Sequence, residues 1–290
     1  MLMAGLRWRK SNHRSDRIVR REIHPVFQRF GCMLENISNI FFPKRCPICD
    51  EILEPELTDK KIHPECRNKL YPVTGAVCMQ CGRPLENSTG EFCYDCNRRT
   101  QILDQQNMSL VKAKGKSNFR GAPIAQGKSM YLYQGAIKTT MYRFKYSNRR
   151  EYADFFAEQA IEKYGAWIRA KGVEVIVPVP MYRKKQRVRG YNQAEVFARA
   201  LSRLTGIPVD TELVLRVKDT TPQKELNDLE RKNNLKSAFQ KTESIVQYSH
   251  ILVVDDIYTT GSTAEAVAEE LIKTKTCQVY FLSICIGKGM

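Results

Sequence analysis

From residue 101 onward, short apolar runs alternate with longer stretches whose apolar residues recur every three or four positions. The runs near 109–113, 129–133, 174–179, 212–217, 250–255 and 278–286 read as strands, and the periodic stretches 135–146, 151–170, 192–205 and 263–274 as helices. Ile251 to Val254 is unbroken and aliphatic, as expected of a strand covered on both faces. In the last helix Ala264, Val267, Ala268, Leu271 and Ile272 fall at i, i+3, i+4, i+7 and i+8, a single stripe laid on a sheet. The alternation predicts an α/β domain with a mainly parallel sheet and helices on both faces.

Candidate chemistry gathers where one of these strands ends. Asp255 and Asp256 follow the apolar run, and Thr259, Thr260, Gly261, Ser262 and Thr263 lead into the last helix. Ligands of open α/β sheets sit at this edge. The first N–H groups of a helix lack partners and carry the positive end of its dipole, so a phosphate gains several hydrogen bonds there. Gly261 permits close backbone approach, and the hydroxyls beside it add donors. Carboxylates repel a phosphate but accept from a vicinal diol. The combination asks for a sugar phosphate whose hydroxyls face Asp255 and Asp256 while its phosphate sits over residues 259–263. A strand ending in two acids before a capped helix would explain the acids or the cap, but not the whole run.

Two further segments belong with this site. After the 174–179 strand come Pro178, Val179 and Pro180, then Arg183, Lys184, Lys185, Arg187 and Arg189, five basic residues in seven. We read this as a loop whose constrained backbone and cations suit a pyrophosphate, ahead of a helix capped by Asn192 or Gln193. Residues 221–239 are polar and long for a connection between strands, which predicts a lid with Gln223 and Arg231 closing over the leaving group. A solvated loop and an ordinary exposed helix are the plain alternatives for these segments.

Charge narrows the partners. A net charge of +16 over 290 residues points to a nucleic acid, a phosphorylated metabolite or an anionic membrane surface. Residues 1–30 hold eight Arg or Lys against Asp16 and Glu22, which reads as a tail. No transmembrane segment is expected, because no stretch approaches the roughly 20 apolar residues that a span needs. The basic start is not followed by a signal-peptide core, so a cytoplasmic location is expected. The amphipathic piece 33–42 leaves peripheral membrane contact open beside a domain-capping role.

Ten cysteines in a cytoplasmic chain argue for metal rather than disulfides. Eight ligands fall into four knuckles: Cys46-x-x-Cys49, His63-x-x-Cys66, Cys78-x-x-Cys81 and Cys93-x-x-Cys96. Two knuckles complete a tetrahedron around zinc, so two closed structural sites are expected. Nearest neighbours give Cys46, Cys49, His63 and Cys66 for one and Cys78, Cys81, Cys93 and Cys96 for the other, with cross-bracing as the alternative. Cys277 and Cys285 read as core residues, and Cys32 has no assigned role. The resulting division is a basic extension with a short amphipathic helix at 1–43, a zinc-binding module at 44–100, and the α/β domain at 101–290.

The acid pair followed by Thr259 to Thr263 resembles the motif with which type I phosphoribosyltransferases bind 5-phosphoribosyl 1-diphosphate (PRPP). Together with the knuckles, Cys81-Gly82-Arg83-Pro84-Leu85, Arg189-Gly190-Tyr191-Asn192-Gln193 and the spacing of Gln223, Arg231 and Asn234, it resembles the ComF family over about residues 40–290, in particular its ComFC branch. His63 stands where many relatives have cysteine. The resemblance implies a phosphoribosyltransferase fold in a family associated with competence, DNA uptake, transformation and recombination. It implies Mg²⁺ bound with PRPP, displacement at the anomeric carbon by glycosyltransferase chemistry, and competence helicase or recombination proteins as partners. Asp255 and Asp256 would be the catalytic pair that holds the diol, residues 259–263 the 5-phosphate cradle, and Pro178, Val179, Pro180, Arg183, Arg187 and Arg189 the pyrophosphate loop. No residue names the acceptor. A transferase and a non-catalytic single-stranded DNA-binding protein that keeps the PRPP site as a sensor or vestige therefore both stay open. The latter suits the basic charge and the knuckles, which lack the paired-cysteine, paired-histidine frame of duplex-reading fingers.

Overall fold

A computed structural model of the chain describes residues 43–85, 90–107, 122–219, 237–242, 247–273 and 277–288. Met1–Pro43 separates as one unit and Lys44–Met290 forms a second, compact one. In the second unit the cysteine-rich stretch carries the short helix α1 (Pro64–Arg67) and α2 (Tyr94–Asn107). There follow β1 (Gln126–Leu132), α3 (Ala136–Tyr146), α4 (Tyr152–Ala170), β2 (Val175–Pro178), α5 (Arg183–Arg189) and α6 (Gln193–Thr205). The chain ends through β3 (Val214–Arg216), β4 (Phe239–Lys241), β5 (His250–Tyr258), α7 (Ser262–Ile272) and β6 (Gln278–Ile286).

Four strands make a parallel sheet in the order β1-β6-β5-β2, with Val177 beside Val253 and Val254 beside Leu282. The central strands are mostly apolar, Ile251–Val254 of β5 and Val279–Leu282 of β6, because both faces are covered. On one face α3, α4 and α6 pack Ile137, Met141, Phe144, Phe156, Phe197 and Leu201 against Leu252, Val254 and Leu282. On the other, α7 and the β3–β4 pair bring Ala264, Val267, Leu271, Val214 and Phe239 against Ile251, Val253, Val279 and Phe281. The expected α/β architecture with helices on both faces is present. The knuckles divide between the two cores: Cys46 and Cys66 join the first, and Cys78, Cys81, Cys93 and Cys96 the second.

Three local expectations are corrected. Residues 183–189 form a helix, not a loop: Arg, Lys and Gln are good helix formers, and the left-handed Gly190 (φ 85°) ends the turn. The 212–217 run is no strand of the parallel sheet. Val209 bridges to Ile176, and Asp210 then accepts the N–H groups of Glu212 and Leu213, both at 2.9 Å. That side-chain turn swings the chain away, so β3 pairs antiparallel with β4, a strand the apolar pattern does not reveal. Asp255 and Asp256 lie inside their strand, which continues to Tyr258 opposite Ile286. The expected 109–113 strand, Cys32, and the lid residues Gln223, Arg231 and Asn234 lie outside the described residues.

Candidate functional site

The β5 strand places the two acids differently. A period of two sends Asp255 and Asp256 to opposite faces. Asp256 is 8% exposed and pairs with Lys145 of α3, Oδ2 to Nζ 2.7 Å. Asp255 Oδ1 accepts the Asp256 N–H, and Asp256 Oδ1 accepts the Ile257 N–H, each at 2.8 Å. Burial, reinforced by the neighbouring Asp256 carboxylate, pushes the Asp255 pKa well above the usual carboxylate range. Burial pulls Lys145 down, but Asp256 and then Asp255 outweigh it and hold its pKa above the ordinary lysine value.

Beyond Tyr258 the chain makes the expected turn. Gly261 caps α7 in the left-handed region at φ 83°, and a Cβ there would fall 2.1 Å from the Tyr258 hydroxyl. Thr259 and Thr260 are exposed, and the Thr260 and Ser262 hydroxyls lie 3.0 Å apart. The N–H groups of Thr263 and Ala264 precede the first intrahelical bond, from Glu265 N–H to Gly261 O at 2.9 Å. This turn has the form of an anion cradle.

At the end of β2, Val179 N–H bonds Val254 O at 2.9 Å, which ties the Pro178-Val179-Pro180 corner to β5. Asn192 caps α6 by accepting the Ala194 N–H at 3.1 Å and donates to Val179 O at 2.9 Å. A cavity of about 100 Å³ opens there, with Pro178, Pro180, Arg183, Asn192 and Arg216 in its wall. Arg187 and Arg189 do not line it: Arg189 turns to Gln193 Oε1 at 2.9 Å and the Tyr146 hydroxyl at 3.3 Å. Lys145 and Arg216 are the cations that the sequence pattern missed. Lys145 follows Ile137, Met141 and Phe144 on the buried stripe of α3, and a charged residue at such a position is a usable signal. Arg216 sits on a short strand with no such signal, and burial lowers its pKa, opposed by Asp219 and Asp255.

The knuckles close as two quartets in nearest-neighbour pairing. The ligand atoms of Cys46, Cys49, His63 and Cys66 lie within 4.8 Å of one another, as do those of Cys78, Cys81, Cys93 and Cys96. A tetrahedral zinc–thiolate site separates sulfurs by about 3.8 Å; Cys81 and Cys93 Sγ lie 3.7 Å apart, and Cys49 Sγ lies 3.3 Å from His63 Nδ1. Four thiols so close cannot ionise together without a cation: hydrogen bonds with Cys78, Cys81 and Cys93 push Cys96 up, while those with Cys81, Cys93 and Cys96 pull Cys78 down. The donor sets fit structural zinc.

The double zinc ribbon domain family matches residues 37–97. Competence protein ComFC of Bacillus subtilis is 28% identical over 240 residues, covering 79% of this chain and 88% of that protein. DNA utilization protein YhgH of Escherichia coli O6:H1 is 31% identical over 219 residues, 72% of this chain and 96% of that one. Competence protein F of Haemophilus influenzae is 29% identical over 220 residues, covering 72% and 89%. Among solved structures an adenine phosphoribosyltransferase matches at 17% identity and a TM-score of 0.28, covering 45% of this chain and 70% of that one. No helix among the described residues is long and apolar enough to cross a membrane. With the ribbon match and these relatives in agreement, the chain belongs to the ComF family.

Proposed function

We propose that this chain binds PRPP with Mg²⁺ at the carboxyl edge of the sheet. One observation carries the reading: the acid pair of β5 and the 259–263 turn are continuous in the chain, and Gly261 is left-handed at the point where α7 begins. A 5-phosphate over that turn would meet the N–H groups of Thr263 and Ala264 and the Thr260 and Ser262 hydroxyls. Each of the two acids is a hard oxygen donor of the kind Mg²⁺ takes, and an ion at either would screen the charge of the diphosphate. The cavity wall formed by Pro178, Pro180, Arg183 and Arg216 suits the pyrophosphate end. Lys145 holds Asp256 in place, and its charge would compensate the ligand's anions as well. If a transferase, the chain acts by positioning and charge neutralisation, with pyrophosphate leaving the anomeric carbon.

Calorimetric titration with PRPP and Mg²⁺ tests the reading. Binding by the wild type that is lost in Gly261→Val and weakened in Asp256→Asn is expected; no heat with the wild type would discard it. Pyrophosphate release with added bases, abolished in Asp255→Asn, would separate a transferase from a sensor.

A second reading concerns DNA and has its own observation. Tyr142 and Tyr146 are 62% and 61% exposed, their ring centroids 5.0 Å apart, with the Arg189 guanidinium 4.9 Å over the Tyr146 ring. Arg183, Lys184 and Arg187 of α5 are exposed nearby in sequence. Exposed rings among cations form a stacking platform for unpaired bases, which suits single-stranded DNA. Fluorescence anisotropy with a labelled oligothymidylate should show salt-dependent binding weakened by Tyr146→Ala; equal affinity for duplex would count against this reading.

A further inference from the structure

The second quartet lies against the turn. We propose that Arg83 and Arg99, carried on the two knuckles which that quartet joins, are positioning residues for residues 259–265, so that the turn is set only while a metal ties those knuckles together. The proposal takes the turn to be the phosphate cradle proposed above, but its mechanical content concerns the turn alone.

Arg83 follows Cys81 by two positions and is 4% exposed. One arm of its guanidinium pairs with Asp95, which lies between Cys93 and Cys96. The other arm donates to Thr259 O at 2.7 Å. The ion pair therefore spans the same two knuckles as the metal, and its free arm reaches the first carbonyl of the turn. Arg99 lies one helical turn after Cys96 on α2 and pairs with Glu265 in the first turn of α7. It also hydrogen-bonds the Tyr258 hydroxyl, and it lies 3.0 Å from where a Gly261 Cβ would stand. Tyr258 is 5% exposed and forms the floor beneath Gly261.

The other side of the same knuckle is seated on the sheet. Gly127 N–H of β1 bonds Gln80 O at 2.6 Å, and a Cβ on Gly82 would stand 2.7 Å from Gly127 O. That backbone contact fixes Gln80 to Gly82 relative to β1, while Arg83 and Arg99 hold the turn. The metal closes the path between these contacts, because this part of the chain buries few apolar groups besides the four cysteines themselves.

Arg99 has an electrostatic part as well. Glu265 is 8% exposed and lies at the amino end of α7, where a carboxylate would oppose a phosphate on the same dipole. Pairing with Arg99 neutralises it, so the cradle stays electropositive. A structural strut alone would not predict that a charge change at Glu265 compensates for loss of Arg99.

The test uses the full chain loaded with zinc and two readouts: amide hydrogen exchange over residues 255–266, and calorimetric affinity for ribose 5-phosphate. Losing a buried hydrogen bond to a charged group removes about 1.5–3 kcal/mol, so Arg83→Met should speed exchange of the Glu265 amide, which bonds Gly261 O across the turn, by about tenfold or more, with zinc content unchanged. Cys93→Ser, which leaves both arginines in the chain, should give the same acceleration, whereas Cys49→Ser in the first quartet should leave that amide as in the wild type. Arg99→Met should weaken ribose 5-phosphate, and adding Glu265→Gln should restore most of the affinity. Wild-type exchange of the Glu265 amide in Arg83→Met overturns the positioning role, since that variant leaves every metal ligand in place. Wild-type exchange of the same amide in Cys93→Ser overturns the metal dependence. Absence of ribose phosphate binding by the wild type would instead defeat the functional reading, and the exchange result would still decide this one.

Discussion

The two quartets share a donor chemistry but differ in what they hold. The first is partly open, with Cys49 and His63 half-buried, and it joins the core formed by α3, α4 and α6. Its ties run to helices: Thr140 Oγ1 donates to Pro47 O at 2.7 Å, Arg143 to Ile48 O at 3.1 Å, and the Tyr152 hydroxyl to Asp50 Oδ1 at 2.5 Å. All four cysteines of the second are buried, and its ties run to β1 and to the turn before α7. One site fastens a ribbon to a helical layer; the other stands behind the turn that leads into α7. A zinc ribbon therefore need not be judged as one object, because its halves answer to different faces of the sheet.

The most damaging change should be Gly261→Val, because a φ of 83° is strained for a branched residue and its Cβ would strike Tyr258. We expect loss of PRPP binding and a stability loss of about 2–4 kcal/mol, measured by calorimetry and urea unfolding. Next come the cysteines. Cys93→Ser and Cys49→Ser should each bring bound zinc from two equivalents to one by elemental analysis, but only the former should abolish ligand binding. Equal effects on the ligand would erase the contrast drawn above.

Asp50→Asn should then break the first quartet's side alone. Burial raises the Asp50 pKa, but the Tyr152 hydroxyl and Arg149 outweigh it and hold the carboxyl below its usual value. A lowered folded pKa means that the stabilisation is present above about pH 3.9 and is lost as pH falls through the folded value. Wild type and Asp50→Asn should accordingly differ by about 1–2 kcal/mol at pH 7 and converge in strong acid, with ligand affinity untouched. Smallest is Asp255→Asn. Its raised folded pKa makes the native state lose stability as pH climbs from the ordinary carboxylate value toward the raised one, so the variant should melt a few degrees higher at neutral pH while binding PRPP less tightly. A lower melting temperature would mean that the Asp255 charge is already compensated in the fold.

Local signals were legible in the sequence, and so was anything fixed by spacing. The Cys-x-x-Cys and His-x-x-Cys pairs announce the quartets, and Asn192 announces the start of α6. The short apolar runs give all four strands of the parallel sheet. What failed were decisions between equal local preferences. Arg183–Arg189 carries both loop-like charge and helix-forming side chains, and only Gly190 behind it settles the matter. β3 and β4 are three residues each, too short for a period to register. Arg83 meets Thr259 across 176 positions, and nothing within reach of either residue foretells the contact. The alternation that identifies β5 also implies that its two acids point apart, a consequence available from the sequence but easily overlooked when they are read as a pair.

The ribbon supplies buried side chains to both sides of the sheet, Ile48, Leu53 and Ile62 on one and Val73 on the other. An expression clone that begins after Asn107 would thus strip aliphatic lining from two interiors at once and leave greasy surface wetted on either side. Its protein should collect in inclusion bodies, and the seam visible in the composition near residue 100 is a poor place to cut.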